Sequence, residues 1–159
     1  MQIEALAFLI EKIAPETPCA IMAIDSETAE EQFAMRALRL FLVENHQDTI
    51  RYMKLYLEQL GHHISVAEDM ATALREIPNS QCDILICDIG LPDGDGWQLM
   101  KKLGENRPPI AIAMSGYGTG NDQRKSLESG YDFHLVKPFT PDALLAVLRD
   151  AEKSQRMDE

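Results

Sequence analysis

The sequence predicts an α/β fold: a flavodoxin-like, doubly wound parallel sheet of five strands (order 2-1-3-4-5) with five helices, preceded by an N-terminal helical extension. Three observations predict it. From residue 38 onward, short apolar runs alternate five times with segments whose apolar residues recur at helical spacing. The run at residues 83–87 is almost wholly apolar, as a strand covered on both faces requires. Gly, Pro, Asn and Asp punctuate the chain between these runs.

Composition bounds the function. The chain has 159 residues, 45% of them hydrophobic, enough for one cored domain with an appendage. Its net charge of -11 argues against nonspecific nucleic-acid binding and against docking on anionic membranes. No apolar run approaches the roughly 20 residues of a spanning helix, and no signal peptide is evident. The three cysteines, Cys19, Cys82 and Cys87, show no metal-ligand spacing and are expected as reduced thiols in the cytoplasm.

Residues 1–37 differ from the rest. Ile3, Leu6, Ile10 and Ile13 sit at helical spacing, and Pro15 and Pro18 end that pattern. A second helix is expected after Asp25 or Ser26, with carboxylates in its first turn. Seven carboxylates face only Lys12 and Arg36, so this is an acidic, helical extension. It reads as a partly ordered leader or as a dimerisation or docking element.

The repeating units follow at residues 38–152. The first strand, at residues 40–43, ends in Glu44, Asn45 and His46. Asp48 is expected to cap the first helix, whose Ile50, Met53, Leu57 and Leu60 share a face, and Gly61 stops it. The second strand spans 63–67, and the second helix 70–77, closed by Pro78. The third strand, 83–87, ends in Asp88, followed by Gly90, Pro92, Gly94 and Gly96. The third helix, 96–103, has Trp97, Met100 and Leu103 as its apolar side. The fourth strand, within 109–114, ends in Ser115. A polar fourth helix spans about 121–129. The fifth strand, 133–136, ends in Lys137. Thr140, Pro141 and Asp142 open the fifth helix with a cap, a proline at its first position and an acid in its first turn. Residues 153–159 are expected as a frayed, charged tail.

In an open α/β sheet, ligands bind beyond the carboxyl ends of the strands. Right-handed crossovers bring those ends together. Here they carry Glu44 and Asn45, Asp88, Ser115 and Lys137. Each alone has a plain reading, Asp88 as a loop cap and Ser115 as a turn residue. Their convergence points to one polar site.

The motifs Leu-Val-Glu44-Asn45-His, Cys-Asp88-Ile-Gly-Leu-Pro-Asp-Gly-Asp-Gly, Met-Ser115-Gly-Tyr-Gly and Leu-Val-Lys137-Pro-Phe resemble the receiver domain of two-component response regulators. The resemblance covers about 114 of the 159 residues, and the wording is similar to receivers associated with hybrid sensor kinases. It implies a phosphorelay role in which Asp88 accepts a phosphoryl group from a histidine kinase or histidine phosphotransfer protein. It implies Mg2+ held by Glu44, Asn45, Asp88 and the backbone carbonyl of Gly90. Ser115 then matches the hydroxyl that bonds the phosphoryl group, Lys137 the lysine that pairs with it, and His134 the switch position that is more often Tyr or Phe. The output surface is helix 4, strand 5 and helix 5, which meets a downstream protein partner. Self-association is assigned to that face or to the extension.

Two departures stand out. Asn45 replaces an acidic-pair Asp, which weakens Mg2+ binding and leaves Lys137 able to hold the pocket closed by pairing with Asp88. The alternative that follows is a degenerate receiver, a phosphorylation-independent interaction module. His134 introduces an imidazole with an ordinary pKa of ~6.5, so its swing is either pH-sensitive or that of a tolerated planar ring. No output module is expected after Ala151, so output passes by protein contact or by phosphoryl passage to another protein. Turnover beyond self-phosphorylation and self-dephosphorylation is not expected. A phosphohydrolase wants a second acid two residues after its nucleophile, where Gly90 stands. A calcium loop at residues 93–96 lacks the closing Glu.

Overall fold

The structure is a computed structural model and describes residues 36–116 and 120–158. The expectations for the N-terminal extension and for Cys19 therefore lie outside the described residues, apart from residues 36 and 37. Five strands form one parallel sheet: β1 (Arg39–Val43), β2 (His63–Ala67), β3 (Ile84–Asp88), β4 (Ile110–Ser115) and β5 (Phe133–Val136). Their order is β2-β1-β3-β4-β5, as the alternating pattern predicts. Five helices connect and follow them among the described residues: α1 (Gln47–Gln59), α2 (Met70–Ser80), α3 (Gly96–Leu103), α4 (Gly120–Glu128) and α5 (Pro141–Met157).

The strands are apolar on both faces because helices cover both. Phe41, Val43, Leu85, Cys87, Ala111 and Ala113 pack with Ala73 and Ile77 of α2 and Leu99 and Leu103 of α3. Leu40, Leu42, Ile84, Ile86, Ile112 and Met114 are fully buried at the alternate positions, as a period of two requires. On α1, Met53 and Leu57 are buried, and on α5 Leu144, Leu148 and Ala151. Each such Leu contributes about 1.5–3 kcal/mol of transfer free energy.

Several boundaries differ from expectation. His46, not Asp48, stands at the α1 N-cap and makes no side-chain capping bond; Asp48 lies within the first turn, where its charge still favours the helix dipole. Pro78 does not close α2, which continues to Ser80. Ser80 Oγ donates to the Ile77 carbonyl (2.8 Å), and Gln81 ends the helix in the left-handed region at φ 50°. The fifth helix takes in most of the charged tail and ends at Met157. Gln155 Nε2 bonds the Asp83 carbonyl (3.2 Å), and Arg156 pairs with Glu152 one turn back (2.8 Å), so this last stretch is tied down.

The glycine-rich stretch after β3 forms a small antiparallel ladder, Gly90–Leu91 with Gly94–Asp95. Asp93 at its tip accepts from the backbone N–H groups of Met70 (2.7 Å) and Ala71 (2.9 Å), while Asp69 accepts from Thr72 (2.7 Å). Two carboxylates thus satisfy the opening donors of α2. Gly96 opens α3, and a side chain there would meet the Asp88 carbonyl oxygen at 3.0 Å.

Candidate functional site at the carboxyl edge of the sheet

Parallel register sets the site. Val43 lies beside Cys87, Asp88 beside Met114, and Ser115 beside Val136. The next residues on β1 and β5, Glu44 and Lys137, therefore emerge on either side of Asp88. Three backbone bonds extend the sheet past its strands: Glu44 N–H to Ala67 O (3.1 Å), Ile89 N–H to Met114 O (2.9 Å) and Lys137 N–H to Ser115 O (2.7 Å).

Glu44 is fully buried and Asp88 nearly so. The Lys137 ammonium lies 2.6 Å from Glu44 Oε2 and 3.4 Å from Asp88 Oδ2. The sequence suggests that Lys137 pairs with Asp88; it does, but its shorter bond goes to Glu44. The other Glu44 oxygen, Oε1, accepts from the backbone N–H groups of Asn45 and His46, both at 3.1 Å, and stands 2.8 Å from His46 Nδ1. Asp88 Oδ1 accepts from Gly90 N–H at 3.3 Å.

This environment separates the two acids. Burial pushes the Glu44 carboxyl up, but the bonds and charge of Lys137 and the bonds from His46 outweigh it, and the net direction is down. Burial, then the Glu44 charge, raises the Asp88 carboxyl above its ordinary value, against the pull of Lys137. Glu44 is the firm anion of the pair, and Asp88 is the more readily neutralised one.

Ligand atoms of Glu44, His46 and Asp88 lie within 4.8 Å of one another, a group able to hold a metal ion. Beside it, Asn45 Oδ1 is buried and makes no hydrogen bond. A buried amide oxygen without a donor is costly unless something else ligates it. Carboxylates, an amide oxygen and a backbone carbonyl are the hard oxygen donors that Mg2+ takes. The imidazole of His46 suits softer transition metals better.

Ser115 Oγ lies 2.9 Å from His134 Nε2, and His134 Nδ1 lies 3.1 Å from Ser126 Oγ on α4. Ser126 Oγ also accepts from Trp97 Nε1–H at 3.1 Å. The Lys125 ammonium sits over the Trp97 ring, 3.7 Å from its centre. Burial holds the His134 imidazole below its ordinary pKa, against the charge of Asp122. All the residues singled out from sequence thus lie at this edge, and Ser115 connects on to helix α4. Two residues were missed. His46 carried a signal, an imidazole two residues after a buried acid. Ser126 carried none: it is one serine in a polar helix.

The model of the response regulator receiver domain matches residues 40–149, and the chain belongs to that family. It is 33% identical over 112 residues to the KDP operon transcriptional regulatory protein KdpE of Escherichia coli, covering 70% of this chain and 50% of that protein. It is also similar to the sensor protein EvgS of Escherichia coli O157:H7, at 26% identity over 125 residues, 78% of this chain and 10% of that protein. The crystal structure of a CheY-like receiver domain protein from Methanospirillum hungatei superposes with a TM-score of 0.72 at 26% identity, covering 78% of this chain and all of that one. The chain spans about half the length of the curated regulator it matches. It is a receiver domain of the two-component response regulators, a signalling fold. No helix among the described residues is long and apolar enough to cross a membrane.

Proposed function

We propose that Asp88 is the phosphoacceptor of this receiver, taking a phosphoryl group from the phosphohistidine of a sensor kinase or phosphotransfer protein. The observation that carries the reading is the Lys137 ammonium held 2.6 Å from Glu44 and 3.4 Å from Asp88 at one edge of the sheet. An Asp88 oxygen bonds to phosphorus as the phosphorus–nitrogen bond breaks, and the imidazole leaves with the bonding pair. Phosphoryl transfer asks mainly for positioning and charge neutralisation, and these groups supply both. Gly90 N–H orients one Asp88 oxygen, and Lys137 offsets charge at the other.

Glu44, Asp88, the orphaned Asn45 amide oxygen and the Gly90 carbonyl form the donor set for Mg2+. When bound there, Mg2+ supplies positive charge against the transferring phosphoryl oxygens. Asn45 contributes no charge, so the affinity is lower than for a site with a second acid. Ser115 donates to the phosphoryl group, and His134 follows it. The altered surface is α4, β5 and α5, where a downstream protein partner docks; a homodimer would use that face or the N-terminal extension. Residues 38–152 are the receiver unit, residues 1–37 an acidic extension and residues 153–159 the end of the chain. No substrate turnover is assigned. The cytoplasm suits the two buried free thiols, Cys82 and Cys87.

Intact-mass measurement after incubation with acetyl phosphate and Mg2+ tests this. The wild type gains one phosphoryl group and Asp88→Ala gains none. A wild type without an adduct would leave a phosphorylation-independent module as the reading.

A further inference from the structure

Ser126 is fully buried on α4, and its side-chain oxygen meets two groups, Trp97 Nε1 at 3.1 Å and His134 Nδ1 at 3.1 Å. The indole nitrogen is only ever a donor, so one lone pair of Ser126 is taken. If His134 carried its proton on Nδ1, Ser126 would accept twice and its own buried proton would face no acceptor. A buried hydroxyl proton left without a partner disfavours that arrangement by about tenfold or more. If Nδ1 is bare, the Ser126 proton goes to it and every group is satisfied. The neutral imidazole then carries its proton on Nε2, 2.9 Å from Ser115 Oγ.

We propose that Ser126 and Trp97 are positioning residues that fix the tautomer of His134, so that its Nε2–H donates to Ser115 and turns the Ser115 proton away from the ring. The chain of donors runs Trp97 to Ser126 to His134 to Ser115. Ser115 thereby accepts from the imidazole and keeps its own proton for an acceptor elsewhere. On the phosphoacceptor reading, on which this functional step rests, that acceptor is a phosphoryl oxygen on Asp88. A Phe at position 134 would have no ring nitrogen to set this direction. The imidazole makes the identity of a residue on α4 matter to the hydroxyl at the end of β4.

The test is 15N NMR of the imidazoles at a pH where they are neutral, with His134→Gln used to assign the signals. In the wild type, Nε2 of His134 is expected in the protonated range and Nδ1 in the bare range. In Ser126→Ala the preference is expected to fall at least about fivefold, and in Ser126→Thr, which retains the hydroxyl, to return. A wild-type proton on Nδ1, or a tautomer indifferent to Ser126→Ala, overturns the assignment. Rates of acetyl phosphate labelling, measured by intact mass on the same samples, test the functional step. Ser126→Ala is expected to be about three- to tenfold slower, with Ser126→Thr near wild type; an altered tautomer with an unaltered rate overturns that step. Absence of any adduct on the wild type would instead overturn the phosphoacceptor reading, while the tautomer result stands by itself.

Discussion

Lys137 bonds the fully buried Glu44 carboxylate at 2.6 Å, 0.8 Å closer than it approaches Asp88 at 3.4 Å. The ammonium therefore acts first as the counter-charge that allows Glu44 to be buried. Removing one partner of a buried pair leaves the other uncompensated. Lys137→Met is expected to lower the unfolding free energy at pH 7 by about 2 kcal/mol, below the fully buried range because water reaches the lysine. Urea unfolding reads it as a lower midpoint at constant slope. In a Glu44→Gln background the same substitution should cost much less, and equal costs in both backgrounds would refute the coupling.

Asp88 bears the opposite burden. Its pKa is raised by burial and by Glu44, so across the window above the ordinary ~3.9 the native state holds the proton more firmly than the unfolded one. Its contribution is favourable below that window and is lost as pH rises through the native pKa. At pH 7 the charged group is a strain on the fold. Asp88→Asn is expected to raise stability at pH 7 by about 1 kcal/mol and to abolish the phosphoryl adduct. The gain should shrink toward pH 4; a gain independent of pH would point to packing instead.

Asn45 offers a buried amide oxygen with no hydrogen-bond partner. Asn45→Asp places a third carboxylate beside Glu44 and Asp88. Coulomb attraction to a dication at about 4 Å amounts to several kcal/mol at an effective dielectric of ~20, before desolvation. Mg2+ titration followed by Trp97 fluorescence should give at least about tenfold tighter binding for the variant. The metal-free variant should unfold more readily than wild type, because the added charge crowds the same pocket. Unchanged Mg2+ affinity would remove Asn45 from the donor set.

Away from the site, His62 is buried and its Nδ1 accepts from Leu38 N–H at 3.1 Å, which anchors the chain entering β1. Burial, aided by His63 and opposed by Glu152, lowers its pKa. The unfolded chain then binds the proton first. Stability is expected to fall as pH drops below about 6.5 toward the native pKa, by up to about 1.4 kcal/mol per pH unit. His62→Asn, which keeps an acceptor but does not titrate, should flatten that slope in urea melts at pH 7.5 and 5.5.

Asp88, Ser115 and Lys137 were legible because each ends a run whose period already identified a strand, and strand ends of a parallel sheet converge. The preference of Lys137 for Glu44 was not legible. It depends on a difference of less than an ångström between two contacts, one of them to a side chain 93 residues away. Ser126 was invisible for another reason: its place in a polar helix gives no sign that it faces an imidazole and an indole. The α1 start was misassigned because Asp48 obeys the capping rule, whereas the residue that stands at the cap, His46, makes no side-chain capping bond. The end of α2 was misassigned because Pro78 was read as a stop, whereas the helix keeps it inside and runs on to Ser80.

Cys87 lies directly before Asp88 in β3, wholly buried, with its thiol pushed up to about 12 by burial. Such a sulfur is a thiol at every physiological pH, so there is no thiolate to attack an alkylating reagent. It can be labelled only when the centre of the sheet comes apart. The residue next to Asp88 is thus a built-in stopwatch: the rate at which a maleimide captures it reports how often the carboxyl edge of the central strand opens.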